Sequence, residues 1–180
     1  MAIWFMRVSA AICVAAIVSV VGLFGRDWYR EAACDAALVA AQERIESLGG
    51  SLSRDVVEDN YVIMLQETAI DDEQIAALVL LLQPLAAGRS SPNVPERFAF
   101  NLAGTNVGDP AVQAIATLPV SWLNLNGTRV SDAGLMHLRD QPQLSILTVG
   151  GTQVTGPGVD AFRATRPTVW IPVANRRGAR

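Results

Sequence analysis

The sequence contains no lysine: all fourteen of its basic residues are arginine, set against seventeen acidic ones for a formal net charge of −3. That balance excludes the global basic field by which a protein gathers nucleic acid. Ala, Val and Arg are abundant throughout, so the missing lysine reads as genomic composition bias rather than chemistry. Cysteine is nearly as scarce. Cys13 and Cys34 are too few and too badly placed for a disulfide framework or a zinc site. Cys13 lies inside an apolar run and reads as a small lipid-facing or packed residue. Cys34 reads as a lone buried or half-exposed thiol, with pairing between chains as the alternative. The single histidine, His137, sits between Leu135 and Leu138 on an expected helix, and no second histidine completes a ligand set. The acidic run Asp71-Asp72-Glu73 is explained by a helix start, where carboxylates accept free backbone N–H groups. The glycines of "GGTQVTGPG" lack the Lys-Ser/Thr ending of a phosphate loop. Serine and threonine occur without a plausible catalytic base beside them. These absences argue against an enzyme, and no cofactor or metal is expected.

What the chain has in excess is one long apolar run. Val8 to Phe24 carries no charge, and Ile3 to Met6 extend it beyond Arg7. Roughly 20 residues of helix span a hydrocarbon core, so residues 1–26 read as a transmembrane signal anchor. A cleaved signal peptide is the rival reading. Small residues at the cleavage positions do not directly follow the run, whereas Trp28 and Tyr29 suit an interfacial aromatic belt. Arg7 and the terminal amine are nearly balanced by Arg26 and Arg30. The short basic start resembles a signal anchor, giving an expected single-pass membrane localisation with the remaining domain outside the cytoplasm. Residues 27–60 are expected to form a cap. A helix from Asp27 to Leu48 would show Ala33, Ala37, Val39 or Ala40, Ile45 and Leu48 on one face and stop at Gly49-Gly50. Two short strands would follow around the polar turn Glu58-Asp59-Asn60.

From residue 61 to 173 one pattern recurs. "LNLNGTRVSDAGLMHL" from Leu123 is echoed by "FNLAGTNVGDPAVQAI", by "LTVGGTQVTGPGVDAF" and, more weakly, by "IMLQETAIDDEQIAAL". The threonines Thr68, Thr105, Thr128 and Thr152 mark the copies, the last three spaced 23 and 24 residues apart. A loop over 86–97, rich in Gly, Ser and Pro, accounts for the longer first interval. A period in the twenties with one strand and one helix per unit predicts an α/β leucine-rich solenoid, with parallel strands on its concave side and short helices on its convex side. The long N-terminal helix with its anchor would precede it. Inward strand positions are Ile63 and Leu65, Phe100 and Leu102, Leu123 and Leu125, Leu147 and Val149. Helix positions three apart are Ile75 and Leu78, Val112 and Ile115, Leu135 and Leu138, Val159 and Phe162. Asp72, Asp109 and Asp132 suit the helix starts. Gly156 takes that place last and predicts a weaker start. Arg166 to Val173 reads as a final edge strand limited by Pro167 and Pro172, and 174–180 as a disordered basic tail.

These units resemble bacterial leucine-rich repeat proteins built on "L-x-L-x-G-T-x-V-T-D-x-G-L-x-x-L", akin to the cysteine-containing subtype of F-box receptors. The resemblance covers roughly Ser51 to Val173, departing at Glu67, which replaces the turn glycine, and at Gly156. It implies that the threonines form a buried hydroxyl ladder satisfying turn groups between neighbouring units, and that the protein recognises partners rather than catalysing. The strand residues pointing away from the core are then the expected binding positions. Val62, Ala99, Trp122 and Ile146 form one column, and Met64, Asn101, Asn124 and Thr148 another. None is charged, although solvated strand faces usually are, and exposed apolar area often marks an interaction site. The alternative is that the protein's own segments cover this face. The expected function is membrane-anchored recognition of an unknown protein or peptide. A structural envelope-associated scaffold, whose repeats serve assembly only, is the second reading.

Overall fold

A computed structural model describes residues 32–55, 60–87 and 97–172. Helix α1 (described over 32–47) leads into strands β1 (Ser51–Asp55) and β2 (Asn60–Met64). Four helices and three strands then alternate: α2 (Asp72–Ala87), β3 (Arg97–Asn101), α3 (Asp109–Ile115), β4 (Val120–Asn124), α4 (Asp132–His137), β5 (Ile146–Thr148) and α5 (Gly156–Thr165). The strands form one sheet in the order β1-β2-β3-β4-β5. β2 to β5 are parallel, and their register aligns Ile63, Phe100, Leu123 and Leu147.

The alternation of the strands dictates which face is buried. Ile63, Leu65, Phe100, Leu102, Leu123, Leu125 and Leu147 are all 0% exposed. From the helices, Ile75, Leu78, Val112, Ile115, Leu135, Leu138 and Phe162 meet them, also at 0%. Consecutive helices pack on one another along one side of the sheet, so the core lies between the helix layer and the inward strand face. Between each strand and its helix the chain turns tightly. Gly104, Gly127 and Gly151 hold φ of 70°, 70° and 69° there, a conformation that glycine adopts without steric cost.

The first turn departs from this rule, because Glu67 sits there with φ 57°. A left-handed backbone costs a residue with a Cβ roughly 1–2 kcal/mol, offset in part by the extra entropy glycine loses on folding. Glu67→Gly is therefore expected to stabilise the protein by about 0.5–1 kcal/mol. Chemical denaturation of the two proteins would measure it, and a loss of stability would mean that the Glu67 side chain contributes more than its strained backbone costs.

α1 packs against the start of this core. Ala41 and Ile45 are 0% exposed and Cys34 is 5%, while the Cys34 thiol donates to the Pro84 carbonyl at 3.5 Å. Gly50 has no room for a side chain between the Met64 carbonyl, Leu65 and Ile45. The buried stripe thus runs through Cys34, Ala41 and Ile45, while Ala33 and Val39, expected on that face, are exposed.

The expected architecture is corrected in two respects. The structure is α/β, but its sheet is mixed, not the purely parallel sheet of a repeat solenoid. β1 pairs antiparallel with β2, Ser51 opposite Met64 and Asp55 opposite Asn60, because a short chain reversal can only bring the following strand back in the opposite direction. Secondly, no helix among the described residues is long and apolar enough to cross a membrane. The described part of α1 carries Asp35, Glu43, Arg44 and Glu46, charges that a bilayer core disfavours. This overturns the long N-terminal helix with a membrane anchor, and with it the single-pass, extracytoplasmic localisation. The run from Val8 to Phe24, read as anchor or signal peptide, lies outside the described residues, as does the tail 174–180. The expected edge strand near the C-terminus is a single bridge, Ile146 with Trp170.

Candidate functional site

The register places the eight expected binding residues in two rows on the face of the sheet opposite the helices. Val62, Ala99, Trp122 and Ile146 are direct neighbours across β2 to β5, as are Met64, Asn101, Asn124 and Thr148. Seven of them are half-buried, and Ala99 is 4% exposed. Ala99 has the smallest side chain in its row and lies between Val62 and Trp122.

The apolar row is longer than expected. Trp170 bridges Ile146 and is 61% exposed, held by its own N–H donating to the Ser145 carbonyl at 2.8 Å and by Leu147 N–H donating to the Trp170 carbonyl at 3.1 Å. Two strand spacings separate Trp122 from Trp170, so the two backbone positions stand about 10 Å apart with Ile146 between them. Pairing this short segment with β5 is what brings Trp170 into the row. Extending the period-two alternation through "RPTVWIPV" was the available signal for it.

The polar row is a closed hydrogen-bond chain. The Asn101 amide donates to Gln66 Oε1 at 2.6 Å, the Asn124 amide to Asn101 Oδ1 at 2.9 Å, and Thr148 Oγ1 to Asn124 Oδ1 at 2.6 Å. The same oxygens also cap turn amides: Ala103 N–H donates to Asn101 Oδ1 and Asn126 N–H to Asn124 Oδ1. Asn101 and Asn124 therefore hold the turns and the strand spacing. Their acceptor oxygens are already used, which leaves the apolar row as the part of this face able to gain most from a partner.

The threonine series is corrected. Thr68, Thr105, Thr128 and Thr152 each donate Oγ1–H to the carbonyl three residues earlier, at Leu65, Leu102, Leu125 and Val149, all at 2.7 Å. Each hydroxyl closes the turn of its own unit rather than linking neighbours. A hydroxyl has one hydrogen to donate, and the carbonyl three residues earlier in the same turn takes it.

The helix-start aspartates, whose partners the sequence reading missed, add further links between units. Asp72 Oδ1 accepts from Gly108 N–H at 2.6 Å. Asp109 accepts from Ser131 N–H at 2.8 Å and from its hydroxyl at 2.6 Å. Asp132 accepts from Thr155 N–H at 2.7 Å and from its hydroxyl at 2.6 Å. Each carboxylate thus holds the residue that begins the next helix, while Ser131 and Thr155 in turn accept from Ala133 and Gly158 N–H. Any side chain at Gly134 or Gly158 would run into the preceding aspartate, which explains the glycine of the "DAG" and "GPG" segments. The Thr155 cap also supports α5 despite Gly156, so the weaker helix start expected there is not seen.

The bonds from the Thr155 hydroxyl and then its N–H hold the Asp132 carboxyl below the usual carboxylate range, against a smaller opposing effect of desolvation. A group depressed in the folded state stabilises fully above its unfolded pKa of about 3.9 and loses that contribution as pH falls through the folded value. Asp132→Asn is expected to lower stability at neutral pH and to flatten the fall in stability below about pH 4. Urea denaturation of both proteins across that range measures it, and parallel curves would exclude this role.

Asp71, Glu73 and His137 are exposed. Asp71 accepts from Gln74 N–H at 2.9 Å as a helix cap. Among the described residues no three His, Cys, Asp or Glu side chains gather where a metal ion could be held. Compared with known proteins, the chain matches no family model, and no curated protein matches it.

Proposed function

We propose that this chain is a non-catalytic recognition module that holds a protein or peptide partner against the outer face of its sheet. The observation that carries this is the uncharged row Val62, Ala99, Trp122, Ile146 and Trp170, with an indole exposed at its end. Tryptophan is enriched among the residues that dominate binding energy, because a large rigid surface is buried at low entropic cost. The polar row beside it stiffens the platform, so little ordering remains to be done on binding. The resemblance of the units to leucine-rich repeat proteins supports the same reading, since partner recognition is that family's role.

Proximity labelling with the full-length chain, run beside Trp170→Arg, tests it. The substituted side chain is exposed and its backbone bridge is retained, so the thermal midpoint should not move. A partner labelled by the native protein, lost in the variant and bound by the native chain after purification, is the expected result. Identical labelling by both proteins would overturn the reading and favour repeats that serve assembly only.

A further inference from the structure

Successive units are joined by the same backbone bonds each time. Leu65 and Glu67 N–H donate to the Asn101 and Ala103 carbonyls, Leu102 and Gly104 to Asn124 and Asn126, and Leu125 and Gly127 to Thr148 and Gly150, all at 2.7–2.9 Å. In return Asn106, Arg129 and Gln153 N–H donate to the Ile70, Val107 and Val130 carbonyls at 2.9–3.1 Å. The last unit presents the same set, and no further unit follows it among the described residues. The N–H groups of Val149 and Gly151 and the carbonyl of Val154 have no hydrogen-bond partner among the described residues.

Among the described residues, the chain uses only the upstream half of this edge. Trp170 pairs with Ser145 and Leu147, and the next donor in that alternation falls at residue 172, which is proline and has no N–H. Beyond that point lies a cavity of about 240 Å³, whose lining includes Val149, Gly151, Val154, Val159, Arg163 and Pro172. Val149, Val154 and Val159 are half-buried there, whereas the residues at the same positions one unit earlier, Leu125, Val130 and Leu135, are 0% exposed. The open end thus offers two donors, one acceptor and three apolar contacts, in the arrangement that binds a following unit at every inner junction.

We propose that this end is a binding site for an extended peptide segment of a partner protein, which adds parallel to β5 as one further unit. Its carbonyls accept from Val149 and Gly151 N–H, and one of its own N–H groups donates to the Val154 carbonyl. The segment needs apolar side chains over Val149 and Val154 and a glycine at the turn, because the turn residue at each inner junction has φ near 70°. Three inner junctions of this geometry carry the choice of occupant. A second copy added head to tail does not fit, since the opposite edge of the sheet is the antiparallel strand β1. The site is separate from the outer-face row and does not rest on it.

The test is a ¹⁵N–¹H titration of the full-length protein with the capped octapeptide TVGGTQVT, a copy of residues 148–155, which occupy the equivalent place one junction earlier. Saturable downfield shifts of the Val149 and Gly151 amide protons are expected. Gly156 stands where Asp132 stands in the unit before, so Gly156→Asp supplies a carboxylate for the threonine at the end of the peptide. It should tighten binding at least about threefold through charge-assisted hydrogen bonds. Val159→Arg, which fills the cavity, should weaken binding about tenfold or more with little change in thermal midpoint. No shift at Val149 and Gly151, shifts confined to Trp122 and Trp170, or indifference to Gly156→Asp would each overturn the proposal. So would a concentration-dependent dimer that protects these amides, or their occupation by residues 173–180 before peptide is added.

Discussion

Leu125→Ala is expected to destabilise the protein by about 2–5 kcal/mol, the usual cost of truncating a buried leucine. Leu125 is 0% exposed, and its backbone N–H is tied to Thr148 while its carbonyl takes the Thr128 N–H and hydroxyl. Its position is filled by Leu102 in the unit before and Val149 in the unit after, so the lost methyl groups leave a gap with packed walls on both sides. Those walls are strands held in register by backbone bonds, which limits collapse into the gap and places the cost in the upper part of the range. Equilibrium denaturation reads the loss directly. A change below roughly half a kcal/mol would mean that the side chain does not face the core, because a slip of one residue turns every side chain to the opposite face.

Trp122→Ala is expected to weaken partner binding by about 2 kcal/mol or more, roughly thirtyfold in affinity. The indole stands at the middle of the apolar row, between Ala99 and Ile146. It is half-buried whereas Ala99 is 4% exposed, so part of its area already packs within the protein. Some stability should go with it, but less than for Leu125→Ala, since the core lies on the other side of the sheet. Iodide quenching in a background with Trp4, Trp28 and Trp170 changed to Phe measures how much of Trp122 reaches solvent. An indole shielded from iodide, with a stability loss as large as that of Leu125→Ala, would place Trp122 among the protein's own packing and sink the outer-face reading.

The two rows of the candidate site were legible because they follow from period two and a recurring threonine: once the units are aligned, every second strand residue falls on one face. The row's exposed end was not. Trp170 belongs to no unit, and its place beside Ile146 depends on a single bridge formed after α5 brings the chain back to β5. Nor was the division of labour between the rows visible. Asn101, Asn124 and Thr148 look alike as free polar groups until their side chains are found bonded to one another.

By itself the sequence determined what acts within about ten residues: the inward apolar alternation, the glycine turns at Gly104, Gly127 and Gly151, and the helix that follows. These depend on local backbone geometry and on the side-chain periods of strand and helix, which any window of the chain already contains. Tertiary structure alone decided how the units are joined. Aspartates placed as caps for their own helices instead hold residues 22, 23 and 36 positions away, and β1 closes one edge antiparallel while at the other the Val149 and Gly151 N–H groups find no partner among the described residues. A carboxylate at a helix start has two sets of N–H groups within reach, and only the stacking of one unit on the next determines which set it takes.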